Sequence, residues 1–256
     1  MKKNDGNKKT PGYWLLYILL PVVILAVWEA ADIAGILKPY TMPPLRNILD
    51  TAVKYIQNGK LLTNIWVSIL RVLKGFFAAL ASALILGILV GIFPAFDTFT
   101  DLAIQILRPI PPIAWIPLAI LWFGIGEDSK VFIIFLGAFF PIFINVVDGI
   151  QGIEKKYFEL AAVYEVSGPE LVFRIILPGA LPSIMTGIRV GLGNAWVCVV
   201  AAEMIGATSG VGYMLSDGRS LSRPDIVILG MLIVGIVGKL MDDFLRWLRS
   251  RLITWI

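Results

Sequence analysis

Residues 75–96 read GFFAALASALILGILVGIFPAF, a run without one charged side chain. About 20 helical residues of this kind cross the hydrocarbon layer of a bilayer, so the run predicts a membrane-spanning helix. Gly87 and Gly91 stand four positions apart within it, a spacing that lets a second helix approach closely. Two ordinary glycines in an apolar helix are the alternative explanation of that pair.

The chain as a whole has the composition of an integral membrane protein. Of its 256 residues, 58% are hydrophobic and 16% are charged, and the mean hydropathy is +0.83, which is more apolar surface than one soluble core could bury. The sequence has no histidine and one cysteine, Cys198, so the usual ligands of a zinc site and the partner for an internal disulfide are missing. The net charge of +4 comes from basic residues near the ends of apolar segments, and no nucleic-acid partner is expected.

Hydropathy divides the chain into six predicted membrane-spanning helices within a single transmembrane domain, residues 1–256. The first apolar run is longer than the core of a cleavable signal peptide and is therefore taken as a retained helix. Prolines and polar residues after it predict an external loop with an interfacial helix. The spans are predicted at residues 12–35, 73–95, 101–125, 130–150, 180–205 and 225–247, the interfacial helix at 45–57 and a polar loop at 151–178.

The distribution of basic residues predicts the orientation. An even number of spans puts both termini on one side, and a lysine-rich start and an arginine-rich end place that side in the cytoplasm. The rule is not followed throughout, because four basic residues fall in the loop that this topology puts outside: Lys38, Arg46, Lys54 and Lys60. The orientation therefore depends on the two termini and on the polar loop at 151–178.

The third predicted span is interrupted by prolines. Pro109, Pro111, Pro112 and Pro117 remove backbone donors and should break or kink a helix. Inside a membrane such breaks are tolerated where protein or a water-filled cavity satisfies the freed carbonyl groups. We therefore place this segment, with Pro112 and Trp115, beside a transport pathway. Kinks with a purely structural role, and an interfacial position for the tryptophan, are the alternatives.

The polar loop contains the sequence ELAAVYEVSGPELVFRIILP at residues 159–178. It predicts a helix, a break and a second helix, because Ser167 and Glu170 have the spacing of a capping box and Pro169 suits a first helical turn. Acidic residues and small alanines on the first piece would let it lie in a groove of a soluble partner. A loop that only connected two spans would not need this order of residues.

This loop resembles the EAA loop of permeases from bacterial ATP-binding-cassette (ABC) importers, a pattern that begins Glu-Ala-Ala, has a glycine six residues after the glutamate and closes with Leu-Pro. Glu159, Ala161, Leu177 and Pro178 fall on the pattern, whereas Glu165 occupies the position of the family glycine. Other parts of the chain resemble the branch that serves nitrate, taurine, aliphatic sulfonates and bicarbonate. These parts are SILRVLKG at 68–75, LRPIPPIAWIPLAILWFGIG at 107–126, residues 140–149 and the triplet at 202–204.

The resemblance implies a six-helix type I ABC importer permease fold in the bacterial cytoplasmic (inner) membrane, surrounded by lipid. It also implies three kinds of protein partner: a second copy of this chain in a homodimer, two ATP-binding subunits, and an extracytoplasmic solute-binding protein. Neither GxxxxGKS nor GxxxxGKT occurs in the sequence, so no cofactor is expected in this chain, and ATP and Mg²⁺ would be bound by the partner ATPase. The residues that the resemblance assigns to coupling with this ATPase are Glu159, Ala161, Ala162, Glu165, Ser167, Gly168, Leu177 and Pro178.

Ionisable side chains within a span are candidates for function because their burial in lipid is costly. Arg189 and Glu203 flank an uncharged part of the fifth predicted span, with Asn194 and Trp196 between them. For a small anionic solute, Arg189 could supply positive charge and Asn194 a hydrogen bond. Alternatively, Arg189 reaches the inner interface, Glu203 caps the outer end and Asn194 bonds to a neighbouring helix. Close packing at a dimer interface or along a narrow pathway would suit the three glycines of this span, Gly187, Gly191 and Gly193.

We therefore interpret the chain as the permease subunit of an ABC importer for a small anionic solute, with an aliphatic sulfonate or taurine favoured over nitrate or bicarbonate. It is not expected to be an enzyme, because no cluster of nucleophiles, carboxylates or metal ligands lies within the predicted spans. The main alternative is a secondary transporter, which would also have broken helices and buried charge. Such transporters usually have about ten or more spans with paired discontinuous helices, whereas one span is heavily broken here.

Overall fold

The computed structural model describes residues 11–38 and 40–253, with side chains from residue 18 onward. All regular elements in these ranges are helices. They are α1 (Pro11–Ile33), α2 (Leu45–Gln57), α3 (Lys60–Ile92), α4 (Pro94–Leu107), α5 (Ile116–Phe123), α6 (Glu127–Gln151), α7 (Lys155–Val163), α8 (Gly168–Leu171), α9 (Leu177–Gly206), α10 (Val211–Ser220) and α11 (Pro224–Leu252). A 3₁₀ turn at Pro112–Trp115 precedes α5, and a π-helical turn at Val172–Ile176 joins α8 to α9.

Four helices among the described residues are long and apolar enough to cross a membrane: α3, α6, the continuous helix Gly168–Gly206 and α11. The pair α4 and α5 would make a fifth if its two halves count as one span. This confirms the all-α membrane fold predicted from the sequence. A count of six stays a prediction, because the predicted span at 12–35 corresponds to α1, whose side chains before residue 18 lie outside the described part of the chain.

The third predicted span is broken, as its prolines indicated. α4 and α5 meet at an angle of 85°, and α4 ends at Leu107, shortly before Pro109. A proline has no N–H to donate, so the prolines at 109, 111 and 112 cannot continue the helical hydrogen bonds, and the chain becomes helical again at the 3₁₀ turn. The first half begins at Pro94 rather than at residue 101, because proline is well suited to the first turn of a helix.

The second predicted span, 73–95, corresponds to a longer helix. α3 starts at Lys60 and has 33 residues, so residues 60–72 are already helical. In the sequence, Arg71 and Lys74 interrupt the apolar run and suggested a later start. In the structure, Arg71 is buried with a carboxylate partner, so its charge does not end the helix. The other predicted bounds lie within five residues of those of α2, α6, α9 and α11.

Glycines permit close contact between α3 and α6 in the core of the bundle. A Cβ atom placed on Gly87 would lie 2.8 Å from Val146 Cγ1 of α6, and one placed on Gly91 would lie 2.9 Å from Ile150 Cβ. Both distances are shorter than carbon atoms tolerate, so any side chain at either glycine would push the two helices apart. The GxxxG pair therefore serves helix packing within this chain.

The glycines of α9 divide into two groups. A Cβ atom on Gly187 would lie 2.6 Å from Asn145 Cβ, and one on Gly191 would lie 2.7 Å from Ile142 Cγ1, both on α6. At Gly193 a Cβ atom would meet no described atom within 4 Å. Gly187 and Gly191 therefore pack inside the chain, which corrects the expectation of a dimer interface or a pathway for these two. Gly193 faces open space.

Candidate functional site

The polar loop between α6 and α9 presents a short helix with large apolar side chains on its outer face. Leu160 is 52% exposed, and Val163 and Tyr164 are each 78% exposed. Glu159 beside them is also exposed. Clustered apolar side chains outside a span normally remain uncovered only where another protein or a lipid surface meets them. We call these four residues the α7 patch, an apolar surface with one acidic group.

The other predicted coupling residues surround the α7 patch. Ala161, on the same helix, is buried. The first turn of α9 is half-buried and connects the loop to the core of the chain. The exposed positions among these residues are Ala162, Glu165, Ser167 and Gly168, and the half-buried positions are Leu177 and Pro178.

Glu165, at the position of the family glycine, follows α7 in a left-handed conformation with φ of 50°. Its amide N–H donates to Ala162 O at 3.2 Å, and the N–H of Val166 donates to Ala161 O at 3.0 Å. These two bonds are those of a Schellman motif, whose left-handed position favours glycine because a Cβ atom is unfavourable there. The glutamate therefore adopts the turn that a glycine would form, at the expense of local strain.

The substitution Glu165→Gly should tighten this turn. Removing the Cβ atom relieves a left-handed conformation that is unfavourable by about 1–2 kcal/mol. Part of this gain in stability is lost because glycine increases the conformational entropy of the unfolded chain. A net gain of about 1 kcal/mol would slow hydrogen exchange at the Val166 amide roughly fivefold. Glu165→Ala is the matched control, since it removes the charge and keeps the Cβ atom. Equal slowing in both variants would contradict the role of backbone strain.

The second piece of the loop begins as predicted, but without the predicted capping box. Ser167 is the N-cap residue of α8 and Pro169 lies in its first turn. The Ser167 side chain makes no capping hydrogen bond, and the Glu170 carboxylate pairs with Arg174 at 2.9 Å. The pairing one turn along the helix takes the carboxylate that a capping box would need.

Glu203, predicted to lie along a pathway, is instead buried with its carboxylate fully engaged. The residue is 1% exposed. Ser68 Oγ, Arg71 Nη1 and the Gly212 amide each donate to it at 2.8 Å. A carboxylate held by three donors in the core has no free face for a solute. The structure therefore corrects the pathway assignment of Glu203, and its carboxylate bonds to α3 and to the first turn of α10 rather than capping the end of α9.

Arg71 is the centre of a buried charge cluster that the sequence did not reveal. Besides Glu203, it donates to both carboxylate oxygens of Glu127 at 2.5 and 2.6 Å and to Ser209 O at 2.6 Å. Lys130, also buried, lies 3.6 Å from Glu127. The cluster joins α3, α6, α9 and the connection to α10. It is built of paired charges, and no set of three or more acidic or cysteine residues in the described ranges is placed to hold a metal ion.

Two of the other three candidates from the fifth span are also partnered. Trp196 is buried and its Nε1–H donates to Val234 O at 2.9 Å, which places the ring in the core rather than along a pathway. Arg189 forms a two-point ion pair with Asp242 of α11, with Nη2 and Oδ2 at 3.0 Å. Asp242 also pairs with Arg246 at 2.9 Å. The charge of Arg189 is therefore compensated within the chain, and its main effect is to tie α9 to α11.

Asn194 and Pro112 meet at a cavity beside the break between α4 and α5. This cavity has a volume of about 340 Å³ and is also lined by Arg108, Asn145 and Val190. Asn194 is exposed, and its side chain makes no hydrogen bond to any residue of the described ranges. Of the pathway candidates named from the sequence, these two are the ones that the structure brings together around open space.

Trp115, the remaining candidate, belongs to an aromatic group at the far side of the bend. Its ring lies 6.5 Å from that of Trp122, which in turn contacts Phe123 and Phe132. The ring is half-buried and does not line the 340 Å³ cavity. Its position is consistent with packing of α5 against α6 rather than with contact to a solute.

Comparison with known proteins gives a family and full-length relatives. Residues 83–254 match the family described as binding-protein-dependent transport system inner membrane component. A putative aliphatic sulfonates transport permease of Bacillus subtilis strain 168 is 40% identical, over 100% of this chain and 92% of that protein. The taurine transport system permease of Escherichia coli K12 is 33% identical, over 91% of this chain and 86% of that protein.

A solved structure shares the fold at low sequence identity. A chain of the MetNI methionine ABC transporter, in an inward-facing conformation, superposes with a TM-score of 0.61 at 18% identity. The match covers 74% of the present chain and 96% of that chain. Identity this low is evidence for the shared helical architecture and not for the solute.

Proposed function

Since the chain belongs to the family of binding-protein-dependent transport system inner membrane components and its relatives include sulfonate, taurine and nitrate permeases, we propose that it forms the translocation pathway for a small organosulfonate such as taurine. It is a multi-pass permease of the inner membrane and not itself an enzyme. The observation that carries the proposal is the 40% identity to an aliphatic sulfonates permease along the whole chain. Nitrate or bicarbonate is the second choice of solute, and family membership argues against a secondary transporter.

The partners of this permease follow from the same membership. The family description implies a solute-binding protein. The lack of a phosphate-binding loop in this sequence favours a separate ATPase that binds ATP and Mg²⁺. We propose two ATP-binding subunits on the cytoplasmic side, where both termini would also lie, and a homodimer of the present chain. The binding protein would select the solute outside, so the pathway itself can be weakly selective.

The α7 patch is the proposed contact with the ATPase. Its exposed Leu160, Val163 and Tyr164 would lie in a cleft of that subunit, with Glu159 at the edge. The loop that follows runs directly into the continuous helix Gly168–Gly206. A displacement of the patch would therefore be transmitted along one stiff element to the core of the permease, as rigid-body coupling requires. The residues of the proposed coupling set are Glu159, Ala161, Ala162, Glu165, Ser167, Gly168, Leu177 and Pro178.

The substitution Glu159→Lys tests this coupling. Reversing an exposed charge beside the α7 patch should leave folding intact and reduce ATP-driven uptake about tenfold or more, equivalent to a loss of about 1.4 kcal/mol in the contact. Uptake and ATPase activity are measured in vesicles that contain the permease, the ATPase and the binding protein, and membrane insertion is measured by the yield of permease. We expect ATPase activity to lose its dependence on the binding protein.

Arg249→Glu serves as the control, because it reverses an exposed charge on α11, outside the loop. Its uptake should stay close to that of the unmodified permease. Normal uptake in the Glu159→Lys variant would count against the α7 patch as the coupling contact, while the class of the protein would stand.

A further inference from the structure

Arg108 is the one arginine of the predicted spans whose charge is left uncompensated in the described part of the chain. The other two arginines of these spans, Arg189 and Arg246, both pair with Asp242. Arg108 follows the last turn of α4 at the break and is exposed, and its side chain makes no ion pair or hydrogen bond with any described residue. Its guanidinium is therefore a positive charge with no carboxylate partner among these residues.

A charged side chain within a predicted membrane span requires polar surroundings. The cost of an unpaired charge in hydrocarbon is high, so arginines within membrane proteins face a partner or a water-filled space. Arg108 lines two cavities, the one of about 340 Å³ already described and another of about 740 Å³ between α4 and α6. At the break in the third span, Arg108 therefore lies beside open space on two sides.

Two amide side chains share the smaller cavity with Arg108. Asn194 lies near the middle of α9 and has both amide hydrogens free within the described structure. Asn145 uses one amide hydrogen for Pro141 O at 2.8 Å and keeps the other. A water molecule occupies about 30 Å³ of liquid, so the cavity has room for a solute of several heavy atoms. The lining thus combines a fixed cation with hydrogen-bond donors.

We propose that the smaller cavity is a transient binding site for the oxyanion group of the solute, with Arg108 as its cation and Asn194 as a hydrogen-bond donor. The inference rests on the proposed function and replaces Arg189 by Arg108 as the source of positive charge. The paired N–H groups of a guanidinium match two oxygen atoms of a sulfonate or nitrate group. The larger cavity is lined by Asp97, Asp101 and Asp148, whose charges would disfavour a long stay of the anion beyond Arg108.

The test compares Arg108→Gln and Arg108→Lys in proteoliposomes that contain the permease, its ATPase and its binding protein. The probes are labelled taurine, ethanesulfonate and nitrate, each in a separate uptake assay. Arg108→Gln should lower the maximal uptake rate roughly tenfold or more, the effect of one charge-assisted contact. The half-saturating concentration should stay unchanged because the binding protein sets it. Arg108→Lys should retain more uptake than Arg108→Gln, because lysine keeps the positive charge although it lacks the paired N–H groups of a guanidinium.

The control is Lys74→Gln, which removes an exposed cation of α3 that lines neither cavity; its uptake should equal that of the unmodified permease. Normal uptake by Arg108→Gln would overturn the inference and leave the proposed function standing. Recovery of uptake in the double variant Arg108→Gln/Asp101→Asn would also overturn it, because Arg108 would then act as a countercharge to the aspartates. An unmodified assembly that imports none of the three probes with ATP would overturn the proposed function and the inference together.

Discussion

Replacing Arg71 by methionine is expected to prevent the chain from accumulating as a folded membrane protein. The substitution leaves Glu203, which is 1% exposed, as a buried carboxylate without its cation. Removing one partner of a buried ion pair destabilises a protein by about 3–5 kcal/mol, a large fraction of the total stability of a typical domain, about 5–15 kcal/mol. The measurement is the yield of monodisperse protein after detergent extraction, together with the unfolding temperature of what is recovered.

A double variant separates the charge from the packing. Arg71→Met/Glu203→Gln removes both buried charges, and we expect it to recover most of the lost yield. Glu127 keeps Lys130 nearby at 3.6 Å and is half exposed, so it tolerates the loss of Arg71. Arg246→Met is the surface control, since exposed ion pairs contribute about 0–1 kcal/mol and Arg246 pairs with Asp242 at the surface. A normal yield of the Arg71→Met single variant would show that the cluster does not hold the fold.

The charge cluster also explains the glycine-rich connection between α9 and α10. The Glu203 carboxylate accepts a hydrogen bond from the Gly212 amide in the first turn of α10, where a negative charge is favourable. Gly210 has a φ of 117°, and a Cβ atom there would collide with the same carboxylate. The backbone can therefore wrap around Glu203 only because Gly210 has no side chain. The sequence suggests a loose loop between α9 and α10, but this segment packs tightly around the buried carboxylate of Glu203.

The sequence predicted the elements that depend on local chemistry. Charge-free runs marked the spans, and the prolines of the third span marked the break at 85°. The predicted span begins at residue 73, later than the helix α3 at Lys60, because Arg71 and Lys74 interrupt the apolar run. The partners of Arg71 lie 56 and 132 positions further along the chain, and no local pattern relates a charge to partners so distant. The signal that was present is the pair Ser68 and Arg71, three residues apart on one helical face.

The sequence could predict those residues of the candidate site that belong to a motif. It could not predict which charged residues form ion pairs with distant parts of the chain. Glu165 could be named as a departure from the family pattern, but only its φ of 50° shows that it adopts the geometry of the glycine. Arg189 and Glu203 were chosen because they are ionisable residues within a span, and both prove to be compensated. Around Arg108 the sequence pattern is one of prolines, which predicts a break in the helix and does not indicate whether the arginine has a partner. Whether a charge is free depends on tertiary contacts, which composition and spacing do not contain.

Gly191→Val should destabilise the contact between α9 and α6 more than any surface substitution. The first added carbon would lie 2.7 Å from Ile142 Cγ1 and 3.0 Å from Ala138 O. Ile142 and Ala138 are fully buried, so neither can move aside without displacing the core. Overpacking of this kind costs about 1–3 kcal/mol when side chains alone adjust, and the carbonyl contact requires the helix backbone to shift as well. We expect a lower unfolding temperature in detergent and a clear loss of folded yield.

Gly193→Val provides the matched control, because it makes the same chemical change two residues further along the same helix. A Cβ atom at Gly193 meets no described atom within 4 Å, and valine has a higher helix propensity than glycine by a few tenths of a kcal/mol. The unfolding temperature of this variant should therefore stay the same or rise slightly. Equal losses at both positions would show that the contact with α6 does not decide the outcome. A loss of uptake with unchanged stability at Gly193 would instead place that open face at the partner subunit or along the pathway.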